Sequence, residues 1–510
     1  MEDEEEKGMT KLRFLATALA GALFAAPAFA ADLKIGLAED PDMLDPAQSR
    51  TFVGRIVYTA MCDKLVDVSP GLEIVPQLAT EWAWSGEGKV LTMKLRSGVK
   101  FHDGTDMDAA AVVATIERNM KMPESRRKSE LSSVESVAAT GPLEVAFKLK
   151  QPDATLLAQL SDRAGMIVSP KAAAALGANF SSHPVCAGPF KFVERIQQDR
   201  IVLEKFADYW NKDQIHFDKV TYLPIVDSTV RLANLRAGDL DLIERMVPTD
   251  VATVKGDAKL AQAQVVNLGF LSIYVNVGHG PRADNPMGKD KRVRQAFSLA
   301  IDREALNQIV YEGTAPAGNQ PFAPTSPWYD KSIPVPARDV TKAKALLKAA
   351  GYDRVPVEML ISNQPIVGQM MQAVQAMVAE AGFDVTLKTT EFATLLNEET
   401  AGNFQTARTD WSGRVDPDGN IHQFVTCKAA LNEVHYCNPK VDELLNAARA
   451  SVDTKVRKEK YDAAAKILDD DMPYIYLGHQ SWLWAFDKKL TGFVPSPDGM
   501  IRLTGLAKSK

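Results

Sequence analysis

The sequence predicts an alternating α/β protein built as more than one domain, and three observations carry that reading. About 480 residues follow an N-terminal leader, more than one hydrophobic core normally organises. Three separate stretches run from helix into strand, the rhythm of an α/β sheet, and further pieces alternate like antiparallel strands. No internal repeat or low-complexity tract breaks the pattern.

The first helix–strand stretch is "STVRLANLRAGDLDLIERM" (228–246), read as a helix, a turn at Gly238 and Asp239, and a strand from Leu240 to Met246. The second, "DVTKAKALLKAAGY" (339–352), opens on a capping residue, Asp339. It sets Ala343, Leu346 and Leu347 on one face and stops at Gly351. The third, "GQMMQAVQAMVAEAGFDVTLKTT" (368–390), is a helix to Ala381 with Gly382 as its stop, then a strand alternating at Phe383, Val385 and Leu387. Its methionines Met370, Met371 and Met377 recur at helical spacing and read as core. Residues 278–290 and 318–339, rich in Pro, Gly and Asp, read as loops.

The leader is residues 1–30. "MTKLRFLATALAGALFAAPAFAAD" has basic Lys11 and Arg13, an apolar run from Phe14 to Ala26, and small residues at Ala28 and Ala30. This is a secretory signal, cut after Ala30 or Ala31; its apolar run is short for a membrane anchor. The acidic "MEDEEEKG" before it has the wrong charge for such a leader, so translation is expected to begin at Met9, or residues 1–8 are a foreign extension. The net charge is -6 for the whole chain and -4 without the leader, which holds five acids and three bases. That mild acidity gives no electrostatic case for nucleic acid or an anionic membrane.

Four cysteines in an exported chain suit disulfides. Cys427 and Cys437 close a short loop and form the more obvious pair; by elimination Cys62 pairs with Cys186. The rival is a metal site of His422, Cys427, His435 and Cys437, which lacks paired ligand spacings. Enzyme motifs are absent: there is no GxSxG elbow, HExxH, P-loop or GxGxxG turn. "DPDGN" (416–420) begins like a calcium loop, but its glycine comes at the fourth position and no terminal acid follows. An exported hydrolase with an unrecognised site stays as the alternative from another class.

Several stretches carry a resemblance. They are "AEDPDMLDPAQ" (38–48), "PQLATEWAWSGEGKVLTMKLRSGVKFHDGT" (76–105), "AGPFKFVERI" (187–196) with "DYWN" (208–211), "RLANLRAGDLDLIE" (231–244), "KRVRQAFSLAIDREAL" (291–306), "KAKALLKAAGY" (342–352), "NPKVDELLNAAR" (438–449) and "MPYIYLGHQ" (472–480). In this order they resemble the dipeptide/oligopeptide/nickel-binding family of periplasmic solute-binding proteins (solute-binding protein family 5), which serve ABC importers. Within them His102 and Asp103 read as a strand end and turn, not a catalytic pair.

The resemblance implies a bilobal periplasmic-binding-protein fold, with hinged lobes and an extra domain inserted in the first. Carried over, 32–63, 187–276 and 485–510 form the first lobe, 64–186 the extra domain and 277–484 the second lobe. "FLSIYVNV" (270–277) and "SWLWAFDKK" (481–489) are the expected hinges. It also implies a monomeric periplasmic receptor with no cofactor, which captures a short peptide or peptide-like solute for an inner-membrane ABC permease and its ATPase subunits. A non-peptide anion such as an opine, a glutathione-like conjugate or a metal chelate is the alternative solute.

For the site, the resemblance points to "WSGRVDPDGN" (411–420) as a wall of the cleft. Peptide-binding members carry an Asp three residues after the tryptophan matching Trp411, to hold the peptide amine; here that position is Arg414. A guanidinium cannot accept an ammonium and suits a carboxylate or phosphate. Either Asp416 or Asp418 therefore takes the amine, or the solute presents an anion, unless Arg414 merely pairs with one of those acids. Asn420, Asn276 and Arg163 complete the expected binding set, Arg163 because nickel-binding members place an arginine there; Asn319 and Gln320 are weaker candidates.

Overall fold

The computed structural model describes residues 32–509. The expected secretory signal and acidic extension lie outside the described residues. Among the described residues no helix is long and apolar enough to cross a membrane.

Two mixed sheets organise two lobes. The seven-stranded sheet runs, in spatial order, Leu260–Val266, Ser481–Asp487, Leu242–Ile243, Asp32–Leu37, Lys219–Pro224, Arg200–Lys205 and Phe190–Ile196. Asp32–Leu37 pairs in parallel with both of its neighbours, and the other pairings are antiparallel. The five-stranded sheet runs Phe383–Thr390, Val355–Ser362, Thr406–Trp411, Phe270–Val275 and Tyr474–Gly478. Its first three strands are parallel, joined by helices such as Pro365–Ala379 between Val355–Ser362 and Phe383–Thr390. A four-stranded antiparallel sheet (Ala79–Ser85, Val90–Leu95, Glu144–Leu149 and Val134–Gly141) packs on helix Ala109–Lys121 and has its own core around Leu91, Val112 and Phe147.

The local signals explain these elements. Asp339 accepts a hydrogen bond from Lys342 N at 2.8 Å and starts helix Val340–Ala349, and Gly351 leaves it at φ 91°. Asp227 caps helix Ser228–Ala237, which ends at Gly238 with φ 85°. The strand expected from Leu240 to Met246 shrinks to Leu242–Ile243, because Arg245 turns into the left-handed region at φ 50° and takes the chain out of the sheet.

The expected hinges need correction. Phe270–Val275 is buried along all six residues and lies inside the five-stranded sheet, whereas Ser481–Asp487 belongs to the seven-stranded sheet. The chain therefore crosses between sheets at 267–269 and 479–480. The crossings lie side by side: Asn267 N donates to Gln480 O at 3.1 Å, and His479 Nδ1 meets Gly269 O at 2.6 Å. Gly269 is required there, since a Cβ would sit 1.6 Å from Trp411 O.

Two disulfides join Cys62 to Cys186 and Cys427 to Cys437. The first brackets the stretch that holds the four-stranded sheet. The second occupies both sulfurs of the rival metal set, and His422 Nε2 instead meets Asn446 Oδ1 at 3.0 Å.

Candidate functional site

A cleft of about 890 Å³, counting the space open to solvent at its mouth, lies between the lobes. From the side of the seven-stranded sheet come Glu39, Arg50, Phe52 and Arg245, with Arg127 and Arg163 from the inserted stretch. From the other side come Tyr274, Gln364, Leu396 and the run Arg408 to Ser412, with Phe424 behind. Gln480 and Trp482, at and just after the second crossing, close the back. A second hollow of about 680 Å³ adjoins it and shares Arg245, Gln364, Val367, Asp410 and Gln480.

Aromatic rings form the apolar part. Phe52 stacks on Trp482 with centroids 4.3 Å apart and planes 6° apart. Trp411 meets the edge of Phe424 at 4.8 Å and donates Nε1–H to Asn420 Oδ1 at 2.8 Å. Such rings offer large contact area to a solute at little entropic cost.

The charged part is strongly one-sided. Five arginines line the cleft (Arg50, Arg127, Arg163, Arg245 and Arg408), against two acids, Glu39 and Asp410. Four of the arginines have carboxylate partners within the protein. Arg245 holds Glu244 at 2.8 Å and Glu39 at 3.0 Å, Arg127 holds Glu130 at 2.5 Å, Arg50 holds Glu433 at 3.1 Å, and Arg408 pairs with Asp410. Arg163 is different. It is 1% exposed, donates Nη1–H to Ser49 O at 2.7 Å, and meets no carboxylate among the described residues. Burial, with Arg127 next in weight, pulls its guanidinium down to about 10. Asp162 and Glu130 offset this only in part, and a guanidinium buried this deeply without a direct carboxylate contact is costly and favours an incoming anion.

Of the expected binding residues, Trp411 and Arg163 line the cleft. The others are committed elsewhere. Asp416 holds Arg457 through both oxygens at 2.6 and 3.0 Å, and Asp418 holds Arg449 at 2.5 and 3.2 Å. Neither carboxylate is available to a solute amine. Asn420 is a loop pin, donating to Arg414 O at 2.9 Å and accepting from Arg414 N at 2.7 Å. Asn276 pins backbone, donating to His279 O and Phe404 O, both at 2.9 Å. Asn319 and Gln320 likewise hold the carbonyl of Ile333 in their own loop.

Arg414 answers neither expectation made for it. It pairs with neither Asp416 nor Asp418 and lies outside the cleft lining; its Nε reaches Asp162 Oδ2 at 2.5 Å, and its guanidinium stacks 4.2 Å from the centre of Trp411. Asp162 also receives Arg55 Nε at 3.1 Å. Burial raises the Asp162 carboxyl, but Arg414 and Arg55 outweigh it and hold it well below the usual carboxylate range. His102 and Asp103 form a structural corner: the ring meets Gly188 O at 3.0 Å, and the carboxylate accepts from Thr105 and Ser169.

Two lobes facing each other across an aromatic and cationic cleft define a solute receptor with the fold of the two-lobed periplasmic binding proteins. The chain belongs to the bacterial extracellular solute-binding proteins of family 5, whose model matches residues 73–432. It is 29% identical over 499 residues to the glutathione-binding protein GsiB of Pectobacterium atrosepticum strain SCRI 1043, covering 95% of this chain and 96% of that one. To the dipeptide-binding protein of Escherichia coli K12 it is 28% identical, covering 86% and 87%. Among solved structures it superposes on the binding protein AgaA from A. tumefaciens R10, in complex with agropinic acid, with a TM-score of 0.86. That pair is 26% identical, covering 94% of this chain and 99% of AgaA.

Proposed function

We propose that this protein is a periplasmic receptor that delivers its solute to an inner-membrane ABC permease, and that the solute is a small molecule carrying two or more carboxylates. The observation that carries the solute class is Arg163, the buried guanidinium of the cleft wall that makes no direct ion pair among the described residues, Asp162 and Glu130 acting on it only from a distance. A solute carboxylate supplies the missing charge through paired hydrogen bonds. A free peptide amine lacks the usual anchor, because position 414 is arginine and Asp416 and Asp418 are paired. Asp410 uses only Oδ1 toward Arg408, which leaves Oδ2 for an ammonium if the solute has one. The adjoining hollow suits an elongated solute. Glutathione binding by GsiB and the agropinic acid complex of AgaA agree with this class. The mechanism is capture, closure over the solute, and release on docking; no bond is made or broken.

The test is a melting-temperature panel of glutathione, an opine, neutral dipeptides and nickel. A solute at a hundred times its dissociation constant adds about 2.7 kcal/mol of stability. We expect shifts with the polycarboxylates and none with neutral dipeptides. Arg163→Met is expected to weaken the responding solute by about 2–5 kcal/mol, the cost of removing one partner of a buried charge pair. A response confined to dipeptides, or full affinity in folded Arg163→Met, overturns the anionic assignment.

A further inference from the structure

Arg50 stands in the loop before helix Phe52–Met61, on the side of the seven-stranded sheet, yet its guanidinium ends in the opposite lobe. There Nη1 donates to Leu396 O and to Thr400 Oγ1, both at 2.7 Å. Nη2 lies 3.1 Å from Glu433 and 3.6 Å from Glu399. A second cation joins it from the inserted stretch: Arg126 donates to Thr400 Oγ1 at 3.2 Å and stands 3.8 Å from Glu433. The recipients lie on or near the end of helix Phe392–Thr400 and just before the Cys427–Cys437 disulfide closes. Arg50 and Leu396 also line the cleft, so one guanidinium touches both the solute space and the lobe junction.

We propose that Arg50 is a closure latch of this receptor, biasing the lobes toward closure through Thr400, Glu433 and Glu399 with or without solute, so that solute-free protein populates both open and closed states. The inference rests on the receptor reading and not on the identity of the solute. Both acids are almost fully buried at the junction and Arg50 nearly so. Hinged opening separates the two sides, so these contacts exist only in the closed state and bias the equilibrium toward it. Removing Arg50 leaves Glu433 with Arg126 and Glu399 without an ion pair among the described residues, in the closed state only.

The latch is a matter of lobe position, and the test reads that position in solute-free protein by X-ray scattering and by amide exchange of residues 396–400. Arg50→Gln and Arg50→Glu are expected to enlarge the radius of gyration and to speed exchange. The closed-to-open ratio should fall about 30-fold or more, as for loss of one partner of a buried charge pair. The conservative Arg50→Lys, which keeps a cation beside Glu433 and Glu399, is expected to recover much of the compaction lost in Arg50→Gln, which a merely structural role would not do. Wild-type dimensions in Arg50→Gln, or Arg50→Lys no more compact than Arg50→Gln in folded protein, overturns the proposal. Because no solute enters this measurement, a wild-type protein that ignores glutathione would count against the anionic reading and leave the latch result standing.

Discussion

Glu399 shows how a single carboxyl records the cost of closing this site. It is fully buried, beside Arg50 and within a short hydrogen bond of Thr409 Oγ1. Burial outweighs the relief from Arg50 and Thr409 and pushes its carboxyl up to about 7, with Glu433 adding repulsion. A folded value above the ordinary one means that the stability it contributes is complete below the usual carboxylate range. That stability is lost as pH rises from the usual carboxylate range to about 7, by at most about 1.36 kcal/mol per pH unit, and the loss levels off above it. Glu399→Gln, which keeps the hydrogen bond without the charge, is therefore expected to flatten the fall in stability between about pH 4.5 and 7 in urea melts. Asp63, raised to about 7 by burial despite hydrogen bonds from Trp210 and Tyr209, loses stability in the same window. Only the difference between variant and wild type isolates Glu399, and parallel curves for the two would rule out the assignment. None of this was readable beforehand. Arg414 stood out in the sequence because it replaces a family aspartate, but its partner Asp162 lies about 250 positions away and nothing local marks it. Asp416 and Asp418 looked free for the same reason, their partners Arg457 and Arg449 being on later helices. Arg163 was a candidate through the family resemblance.

At the scale of elements, local chemistry predicted more. The cap at Asp339 and the left-handed glycines Gly238, Gly351 and Gly382 follow from turn and cap rules that need no tertiary context. Strand ends did not follow, because a buried central strand such as Phe270–Val275 reads as continuous apolar sequence whichever sheet it joins. The inserted sheet adds an element whose ends are fixed covalently. Cys62 follows directly on helix Phe52–Met61, and Cys186 sits at the bridge to Val168, so their disulfide ties together the two ends of a 124-residue excursion. Replacing both cysteines by serine is expected to cost about 2–5 kcal/mol, read as a lower melting temperature without change in secondary structure. An unchanged midpoint would show that the core around Leu91, Val112 and Phe147 holds those ends unaided.

For the whole molecule, the two crossings decide how the lobes can move. Residues 267–269 and 479–480 are hydrogen-bonded to each other, so they act as one narrow line and not as two independent linkers. Gly269 packs backbone to backbone against the end of Thr406–Trp411, and Gly413, at φ 84°, approaches Leu268 from the other side. The cleft's aromatic wall is thus built directly onto the hinge, and a solute that presses on Trp411 presses on the crossing. Each lobe meanwhile has its own continuous core, one around Leu33, Ile56 and Tyr222, the other around Ile273, Phe297 and Met371. Bistable motion is then expected at the crossing and little change inside either core. Saturating glutathione or an opine, whichever responds in the melting panel, should lower the radius of gyration while amide exchange within both large sheets stays at its solute-free rate. Compaction accompanied by altered exchange across Val355–Ser362 and Phe383–Thr390 would mean instead that the five-stranded lobe itself rearranges, and that the solute is held by remodelling and not by closure about a single line.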